Sequence, residues 1–372
     1  MKKKIISLVL ATVLAVGCLA GCGSSNTTSG KGYEIALITD KGNIDDKSFN
    51  QGSWEGVLAY TEKNNITHQY YKPEEASDEG YFNAIKLAVE GGAKVIVCPG
   101  YLFEAAVYSA QTQFPDVKFV LLDGEPHTPD YVTYETKSNT ACIMYAEEEA
   151  GYLAGYAAVV DGCTTLGFEG GMAVPAVVAF GYGYLQGIEA AATDLGLEDG
   201  SVKVFYHYTG DFAETDANKA VASAMAASGA QVIFGCGGSV GKSVFAAASE
   251  ANIKSIGVDV NQKADSDTVI TSAMKGLGAS VEAVLDSIYT DKFDTYAGKT
   301  TYFTATNDGV GLPDDFERFA TFDKETYDKV YATLADGTVD PIRSFEIADA
   351  AAVTAEQLQT ELGLKKVTVE IR

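Results

Sequence analysis

The sequence has few of the residues that build metal or catalytic centres. It holds three histidines among 372 residues, and they lie far apart along the chain. Its six cysteines show no CxxC or other metal-binding spacing. Cys98 and Cys236 each end an apolar run, so we expect them to be buried free thiols rather than disulfide partners. This composition gives poor support to a metal or His-based catalytic centre, and we expect no cofactor.

Positive charge is also scarce. The chain carries 27 Lys and Arg against 51 Asp and Glu, which gives a formal net charge of −24. It has no basic stripe, and a chain this acidic disfavours nucleic acid, anionic lipid head groups and polyphosphates as ligands. We therefore expect no nucleic-acid partner and a ligand that is neutral or cationic.

Long apolar runs are absent beyond the N-terminal segment. There, Lys2-Lys3-Lys4 precedes the apolar run Ile5–Val16, and Leu19-Ala-Gly-Cys22 follows. This order is typical of an export signal, and the run is shorter than the roughly 20 residues of a membrane span. We predict a signal peptide over residues 1–21 and a flexible tether over residues 22–32.

The Cys that follows Leu-Ala-Gly resembles the lipobox of bacterial lipoproteins. In that motif the thiol is acylated and anchors the mature protein. The resemblance implies lipidation of Cys22 and a location on the extracytoplasmic face of the cell membrane.

The remaining body alternates between helical and strand patterns. Gly80–Glu90 and Phe103–Gln113 have helical character, whereas Ala93–Cys98 and Val117–Leu122 have strand character. Such alternation indicates an α/β fold in which crossover helices flank a parallel sheet. A body of some 340 residues is long enough for two lobes.

An internal repeat supports two lobes of one topology. Three pairs of segments resemble each other in the same order along the chain: Gly92–Gly100 with Gly229–Gly237, Val117–Asp123 with Asn252–Asp259, and Gly52–Val57 with Gly183–Ile188. Each repeat places an Asp, Asp123 or Asp259, just beyond a buried strand. Two such lobes with a cleft between them form the architecture of periplasmic binding proteins, which close around a small ligand by hinge motion.

The lobe boundaries follow from where the chain is expected to cross the hinge. We place lobe 1 at residues 33–138 plus 266–303 and lobe 2 at residues 139–265 plus 304–372. The three crossings then lie near Thr136–Met144, Val260–Asp265 and Thr304–Asp308.

One segment concentrates the features of a ligand site. Thr39–Gly56 reads T-D-K-G-N-I-D-D-K-S-F-N-Q-G-S-W-E-G, with a strand before it, a polar turn, and a helix from about Ser48. Ligands of open α/β sheets bind beyond the carboxyl ends of the strands, where Asp40, Phe49 and Asn50 would lie. From these residues alone, a Phe49 in the core with solvated carboxylates is an equal alternative.

The same segment resembles the signature of the basic membrane protein family, D-x-G…D-K-S-F-N-Q-x-x-W-x-G. Members are nucleoside-binding lipoproteins of ABC importers, and the resemblance extends over Tyr33–Gly311. It implies a type I periplasmic-binding-protein-like fold and a monomer without catalytic activity. It also implies a nucleoside ligand, with guanosine, inosine or adenosine expected first, and ABC permease and ATPase subunits as partners.

The resemblance implies a role for each site residue. The family holds the base between two phenylalanines, of which Phe49 is the first. Phe212, in Tyr-Thr-Gly-Asp-Phe, matches the second, and Phe180 and Tyr184 remain its rivals. Asp123 matches the carboxylate that accepts hydrogen bonds from the base.

The sugar contacts are also implied by the family. Asp259 and Lys275 match positions that bind the ribose hydroxyls, and Gly238 matches a Gly-rich turn that contacts the sugar. Asp40 matches the family's first conserved Asp, which orders the loop or touches the ligand.

Other functions have weaker support. Gly237-Gly-Ser-Val-Gly-Lys-Ser243 is similar to a P-loop, but Cys236 stands where that motif needs Gly. The acidic triplet Glu147–Glu149 opens the predicted helix Ala146–Val160 and suits its dipole better than a metal. The alternatives that stay open are a surface adhesin or signalling lipoprotein of the same fold, and a nucleoside-cleaving enzyme.

Overall fold

A computed structural model of the chain describes residues 32–372. The predicted signal peptide, the predicted lipidation site Cys22 and the predicted tether up to residue 31 lie outside the described residues. Residues Tyr33–Arg372 form one unit. Among the described residues, no helix combines the length and the apolar character needed to cross a bilayer.

The described chain alternates strands and helices. Its strands are β1 (Ile35–Ile38), β2 (His68–Tyr71), β3 (Val95–Pro99), β4 (Lys118–Leu122), β5 (Thr140–Tyr145), β6 (Thr165–Gly170), β7 (Val202–Tyr208), β8 (Val232–Cys236), β9 (Lys254–Asp259), β10 (Val269–Lys275), β11 (Lys299–Phe303), β12 (Val310–Gly311) and β13 (Val367–Ile371). Its α-helices are α1 (Phe49–Asn64), α2 (Asp78–Glu90), α3 (Glu104–Gln113), α4 (Glu147–Val160), α5 (Pro175–Asp194), α6 (Asp216–Ala227), α7 (Val240–Ala251), α8 (Leu277–Tyr289), α9 (Lys324–Ala335) and α10 (Ala355–Glu361).

The strands form two sheets of matching topology. The first has the order β11-β5-β4-β3-β1-β2, and the second has the order β12-β10-β9-β8-β6-β7-β13. Each contains five parallel strands in the order second-first-third-fourth-fifth, a doubly wound arrangement. The repeat found in the sequence is therefore a repeat of topology. The predicted two-lobed α/β fold is confirmed.

The central strands are apolar because helices cover both faces of each sheet. Every residue of β1, Ile-Ala-Leu-Ile, is buried, as expected for a parallel strand inside a doubly wound sheet. Cys98, Cys142, Cys163 and Cys236 are buried free thiols among these core residues. The strands thus form a rigid frame whose carboxyl ends carry the polar loops.

Two strands lie in the opposite lobe from the one predicted for them. The predicted boundaries put β5 in lobe 2 and β10 in lobe 1. Instead, β5 pairs with β4 in the first sheet, and β10 pairs with β9 in the second. Each strand completes the five-stranded repeat of its own sheet before the chain leaves it, so the first two crossings come later, next to Ala146 and Gly276.

The helices that follow these crossings pack on the other lobe. Helix α4, after β5, packs along α5, and helix α8, after β10, packs along α1. A Cβ on Gly155 of α4 would lie 2.2 Å from the Tyr184 carbonyl oxygen of α5, and one on Gly187 would lie 2.0 Å from the Tyr152 carbonyl oxygen. Only glycine permits backbones to approach this closely. The repeated Gly-x-x-x-Gly of α1 and α5 therefore serves the packing of the crossing helices.

Candidate ligand-binding site

A cavity lies where the carboxyl ends of the two sheets face each other. It encloses about 750 Å³ of space, including its open mouth. All eight residues predicted to bind ligand line it, namely Asp40, Phe49, Asn50, Asp123, Phe212, Gly238, Asp259 and Lys275. The structure therefore brings together every sequence-predicted binding residue within one cavity.

The two strand-end aspartates occupy equivalent positions in the two sheets. Asp123 follows β4 and Asp259 ends β9, and both have left-handed backbones, with φ of 57° and 66°. This conformation is uncommon outside glycine and tends to occur at functional sites. Burial raises the pKa of Asp123 to about 7 against the opposing effect of Lys275. Oδ1 of Asp123 is buried and has no hydrogen-bond partner among the described residues.

Lys275 is the cation of the cavity. Its Nζ lies 2.5 Å from Oδ2 of Asp123, 3.0 Å from Oε1 of Glu147 and 4.0 Å from Oδ1 of Asp259. Burial alone would lower the pKa of Lys275, but these three carboxylates raise it above its ordinary value. The side chain is an ammonium at any physiological pH, and it is already shared between acidic groups from both lobes.

Aromatic rings surround the same ammonium. Nζ of Lys275 lies 4.7 Å from the ring centre of Phe49, 5.2 Å from that of Tyr145 and 5.4 Å from that of Phe180. A cation near the electron-rich face of a ring is attracted to it, more strongly where water is excluded. Phe49 is half-buried and lines the cavity, so it is not a plain core residue.

A network of hydrogen bonds shapes the loop before Phe49. Oδ1 of Asp40 accepts hydrogen bonds from Nδ2 of Asn50 at 2.8 Å and from the Gly42 amide at 2.7 Å. Nδ2 of Asn50 also donates to Oδ2 of Asp46 at 2.8 Å, and Asp46 accepts from backbone amides at the start of α1. Burial raises the pKa of Asp40 to about 6. These contacts fix the loop that presents Phe49.

Phe212, on the other side of the cavity, packs against the backbone of three glycines. A Cβ on Gly171, Gly237 or Gly238 would come within 2.5 Å, 3.1 Å or 3.3 Å of Phe212. Gly237 and Gly238 also have positive φ, of 134° and 52°, which favours glycine. The Gly-rich turn thus makes room for Phe212.

The rivals of Phe212 differ in accessibility. Phe180 lines the cavity but is only 2 % exposed, whereas Phe212 is half-buried. Tyr184 is fully buried beside Phe234 and is not a lining residue.

Sequence reasoning missed two charged residues behind the cavity. Glu147, expected only to complement the helix dipole, is completely buried and lies between Lys275 and Arg343. Burial alone would raise the pKa of Glu147, but these two cations hold it below its ordinary value. Burial raises the pKa of the neighbouring Glu148 to about 7. Arg343 has no sequence signal, because it comes from a C-terminal segment far from the motif.

Direct contacts join the lobes beside the cavity. Ser48 Oγ of the first lobe donates to Oδ2 of Asp259 in the second. Nε2 of Gln262 donates to the carbonyl oxygen of Lys47 at 2.7 Å. Within the described part of the chain, no group of three or more His, Cys, Asp or Glu side chains has the arrangement of a metal site. The cavity suits a small polar ligand held between two joined lobes.

Known proteins resemble this chain in both sequence and fold. A 29 % identical relative, the ABC transporter nucleoside-binding protein BmpA of Lactococcus lactis subsp. cremoris, matches over 91 % of this chain and 99 % of its own. Basic membrane protein A of Borreliella burgdorferi is 30 % identical over 76 % of this chain and 78 % of its own. An ABC transporter solute-binding protein from Aeropyrum pernix K1 has the same fold, with a TM-score of 0.74, 20 % identity, and coverage of 88 % of this chain and 98 % of its own.

A family model agrees with these similarities. The model for PnrA-like ABC transporter substrate-binding proteins, named Bmp, matches residues 34–336. This match spans most of the described chain and includes all eight predicted binding residues. The family resemblance inferred from Thr39–Gly56 is thereby confirmed. The chain belongs to the Bmp family of PnrA-like ABC transporter substrate-binding proteins.

Proposed function

We propose that the protein binds a purine nucleoside in the cavity between its lobes and delivers it to an ABC permease. The observation that supports this most directly is the cavity itself, which is lined by two half-buried phenylalanines and by Asp123, whose buried Oδ1 has no partner among the described residues. Rings and unpaired acceptors are what a flat heterocycle with N–H donors requires. The name of the Lactococcus relative, a nucleoside-binding protein, points the same way.

Each lining group has a role in this proposal. Phe49 and Phe212 stack on the two faces of the base, and each stacked ring contributes about 1–3 kcal/mol. Oδ1 of Asp123 accepts a hydrogen bond from an N–H on the base edge. Asp259 accepts from a ribose hydroxyl, Lys275 donates to one, and the Gly238 backbone approaches the sugar.

The charge of the site favours an uncharged ligand. Asp40, Asp46, Asp123 and Asp259 all line the cavity, against Lys275 as the only lining lysine or arginine within the described part of the chain. A nucleoside phosphate would bring further negative charge beside these carboxylates, which the protein field disfavours. We therefore propose nucleosides rather than nucleotides.

Calorimetry on the purified protein tests the proposal. We expect guanosine, inosine or adenosine to bind one to one and the corresponding monophosphates to bind far more weakly. Mass spectrometry of ligand that is carried through purification provides an independent readout. A copurified sugar or amino acid, with no heat from any nucleoside, would overturn the proposal.

Two aromatic variants test the stacking. Phe49→Ala and Phe212→Ala should each weaken nucleoside binding by about fivefold to a hundredfold, since each removes a ring worth about 1–3 kcal/mol. Tyr184→Phe is the matched control, because Tyr184 is buried away from the cavity and its hydroxyl has no hydrogen-bond partner among the described residues. Equal affinities for Phe212→Ala and the control would remove Phe212 from the sandwich.

The location of the protein is part of the same proposal. We propose that Cys22 carries the lipid anchor and that residues 22–32 tether the lobes to the extracytoplasmic face of the cell membrane, consistent with the order of the N-terminal sequence. Cys22→Ala should move the protein from the membrane fraction into the medium or periplasm. If the variant stays in the membrane fraction with unchanged mass, lipidation at Cys22 is wrong.

A further inference from the structure

A row of side chains with alternating charge connects the C-terminal segment around Arg343 to the cavity. Arg343 Nη2 lies 2.7 Å from Oε2 of Glu147, and the other oxygen of Glu147 lies 3.0 Å from Nζ of Lys275. Lys275 in turn contacts Oδ2 of Asp123, a residue that lines the cavity. One buried carboxylate therefore links a residue outside the cavity to the ammonium inside it.

Arg343 is held firmly where it enters the hinge. Its Nη1 donates to the carbonyl oxygen of Tyr145, the last residue of β5, at 2.6 Å, and to Oε2 of Glu148 at 2.8 Å. The guanidinium thus binds the backbone of the first crossing and two of the three acidic residues that open α4. Its planar fork of donors suits such a set of acceptors.

The chain on each side of Arg343 is anchored as well. The Ile342 amide donates to Oε1 of Gln186 at 2.8 Å, and Nε2 of Gln186 donates back to the Ile342 carbonyl at 2.9 Å. Phe345 stacks on Tyr182, with ring centres 4.8 Å apart and an angle of 5° between the planes. These contacts bind the segment to α5 and direct Arg343 toward Glu147. Arg343 lies beyond residue 336, where the family match ends.

The charges around Lys275 make its position depend on Arg343. Four carboxylates, those of Asp123, Asp259, Glu147 and Glu148, gather around two cations, Lys275 and Arg343. Without Arg343, Glu147 would be a fully buried carboxylate with Lys275 as its sole cationic partner. Such a carboxylate attracts the ammonium strongly in a low-dielectric interior. Lys275 would then be drawn away from Asp123 and the cavity.

We propose that Arg343 is a positioning residue for ligand binding, which acts by neutralising Glu147 and so keeps the Lys275 ammonium at the cavity. This inference rests on the proposed nucleoside-binding function. It assigns a role in the site to the segment around Arg343, which does not line the cavity. Networks of this kind change binding by about twofold to thirtyfold when one member is altered.

Calorimetry with the nucleoside bound best by the wild type tests the inference. Arg343→Gln should lower affinity by about twofold to thirtyfold at pH 8, whereas Arg343→Lys, which keeps the positive charge, should lose less. Arg372→Gln is the matched control, because Arg372 pairs with Glu370 on β13 and does not line the cavity. Thermal unfolding of each variant checks that the lobes remain folded.

A double variant separates the electrostatic role from a packing role. Arg343→Gln combined with Glu147→Gln should recover most of the lost affinity, because the carboxylate that contacts Lys275 is then neutral. A pH series adds a second readout. The loss in Arg343→Gln should shrink as pH falls, since Glu147 and Glu148, which both lose the guanidinium, then take up protons. This trend should be smaller in the double variant, where Glu148 alone of the two still titrates.

Three outcomes would contradict the inference. Arg343→Gln binding as tightly as wild type throughout the pH series would overturn it, while leaving the nucleoside function intact. A loss that is independent of pH and not relieved by Glu147→Gln would assign Arg343 to packing alone. Wild-type protein that binds no nucleoside would overturn the proposed function and this inference with it.

Discussion

At the residue scale, Asp123 combines three properties that seldom occur together. Its backbone is left-handed, its side chain contacts Lys275 in the cavity wall, and its buried Oδ1 has no partner among the described residues. A buried acceptor without a partner is costly unless a ligand satisfies it. Asp123 is therefore the residue whose substitution should affect binding most directly.

Asp123→Asn should weaken nucleoside binding tenfold or more. Asparagine keeps the shape and tolerates a left-handed backbone, but it removes the charge that strengthens a hydrogen bond, worth about 1.5–3 kcal/mol. Calorimetry measures the loss. Asp291→Asn is the control, because Asp291 also has a positive φ, of 56°, yet is exposed and does not line the cavity. Equal affinity in the two variants would exclude Asp123 from ligand contact.

Glu169, also at the residue scale, makes stability depend on pH. It is fully buried on β6, and neither of its side-chain oxygens has a hydrogen-bond partner within the described residues. Burial raises its pKa from 4.5 to about 8. The folded protein therefore keeps a proton between these pH values that the unfolded chain has lost, so the free energy of unfolding falls as pH rises through this window.

Glu169→Gln should remove that pH dependence. We expect its stability advantage over wild type to grow between pH 4.5 and pH 8, by an amount on the order of 3–5 kcal/mol, and to be constant above. Urea unfolding at a series of pH values measures it. Glu370→Gln, on the same sheet but half exposed and paired with Lys203, should show little such trend. A pH-independent difference for Glu169→Gln would contradict the buried proton.

At the element scale, helix packing explains why Gly-x-x-x-Gly occurs in both α1 and α5. Gly52 and Gly56 of α1 repeat as Gly183 and Gly187 of α5. Helix α1 packs against α8, and α5 packs against α4, so each pair joins one lobe to a helix that arrives from the other. The repeat was visible in the sequence, but its cause was not, because the residues that meet, such as Gly187 with Tyr152 and Gly56 with Gly278, lie far apart along the chain.

Gly56→Ala should destabilise the α1 and α8 pair. The added Cβ would lie 2.7 Å from the carbonyl oxygen of Gly278 and 2.8 Å from its Cα, so the helices must separate, at a cost of about 1–3 kcal/mol. Gly278→Ala in the same interface is the control, since its nearest neighbour would be 3.8 Å away and alanine favours helix. Chemical denaturation that finds the two variants equally stable would refute this packing argument.

The lobe predictions failed for β5 and β10, each of which pairs with the strand just before it in the chain. Strands such as β8 were visible as apolar runs between turn residues. The lobe that receives β5 or β10 is set by hydrogen bonds to β4 and β9, which no local pattern records. The hinge was therefore placed several residues too early at both of the first two crossings.

At the scale of the whole molecule, few contacts hold the two lobes together beside the ligand cavity. Gln262 is buried on lobe 2, where its Oε1 accepts from the Val258 amide at 2.8 Å. Its Nε2 reaches across to the Lys47 carbonyl of lobe 1 at 2.7 Å. Gln262 does not line the cavity. A substitution of Gln262 therefore tests the contact between the lobes without changing a residue of the cavity wall.

Gln262→Glu should speed the release of ligand. Glutamate keeps an oxygen that accepts from Val258 but places a second oxygen against the Lys47 carbonyl, which removes one bond between the lobes, worth about 1 kcal/mol. We expect the dissociation rate of a bound nucleoside to rise about fivefold, measured by stopped-flow displacement. Gln357→Glu at a surface capping box is the charge-matched control. An unchanged dissociation rate would show that this bond does not hold the lobes closed.

The sequence by itself determined the class of the molecule. Apolar strands alternating with helices specify parallel sheets, the repeat specifies two of them, and the Thr39–Gly56 motif identifies the family. Eight of the residues that line the cavity were chosen as ligand contacts from the sequence. Asp40, Asp123 and Asp259 follow from local strand-end patterns, whereas Phe212, Gly238 and Lys275 came through the family resemblance. Asp123 and Asp259 are the clearest cases of the local pattern.

Only the tertiary structure decided how the site is held together. Lys275 contacts Asp123 and Glu147, and Arg343 contacts Glu147, across more than a hundred positions of the chain. Helices α4 and α8 each follow a strand of one lobe and pack on a helix of the other. Such contacts depend on how the sheets face each other, and charge pairing over these distances leaves no periodic trace in a sequence. The physical reason is that local patterns fix strands and helices, whereas burial and electrostatics between them are settled only when they pack.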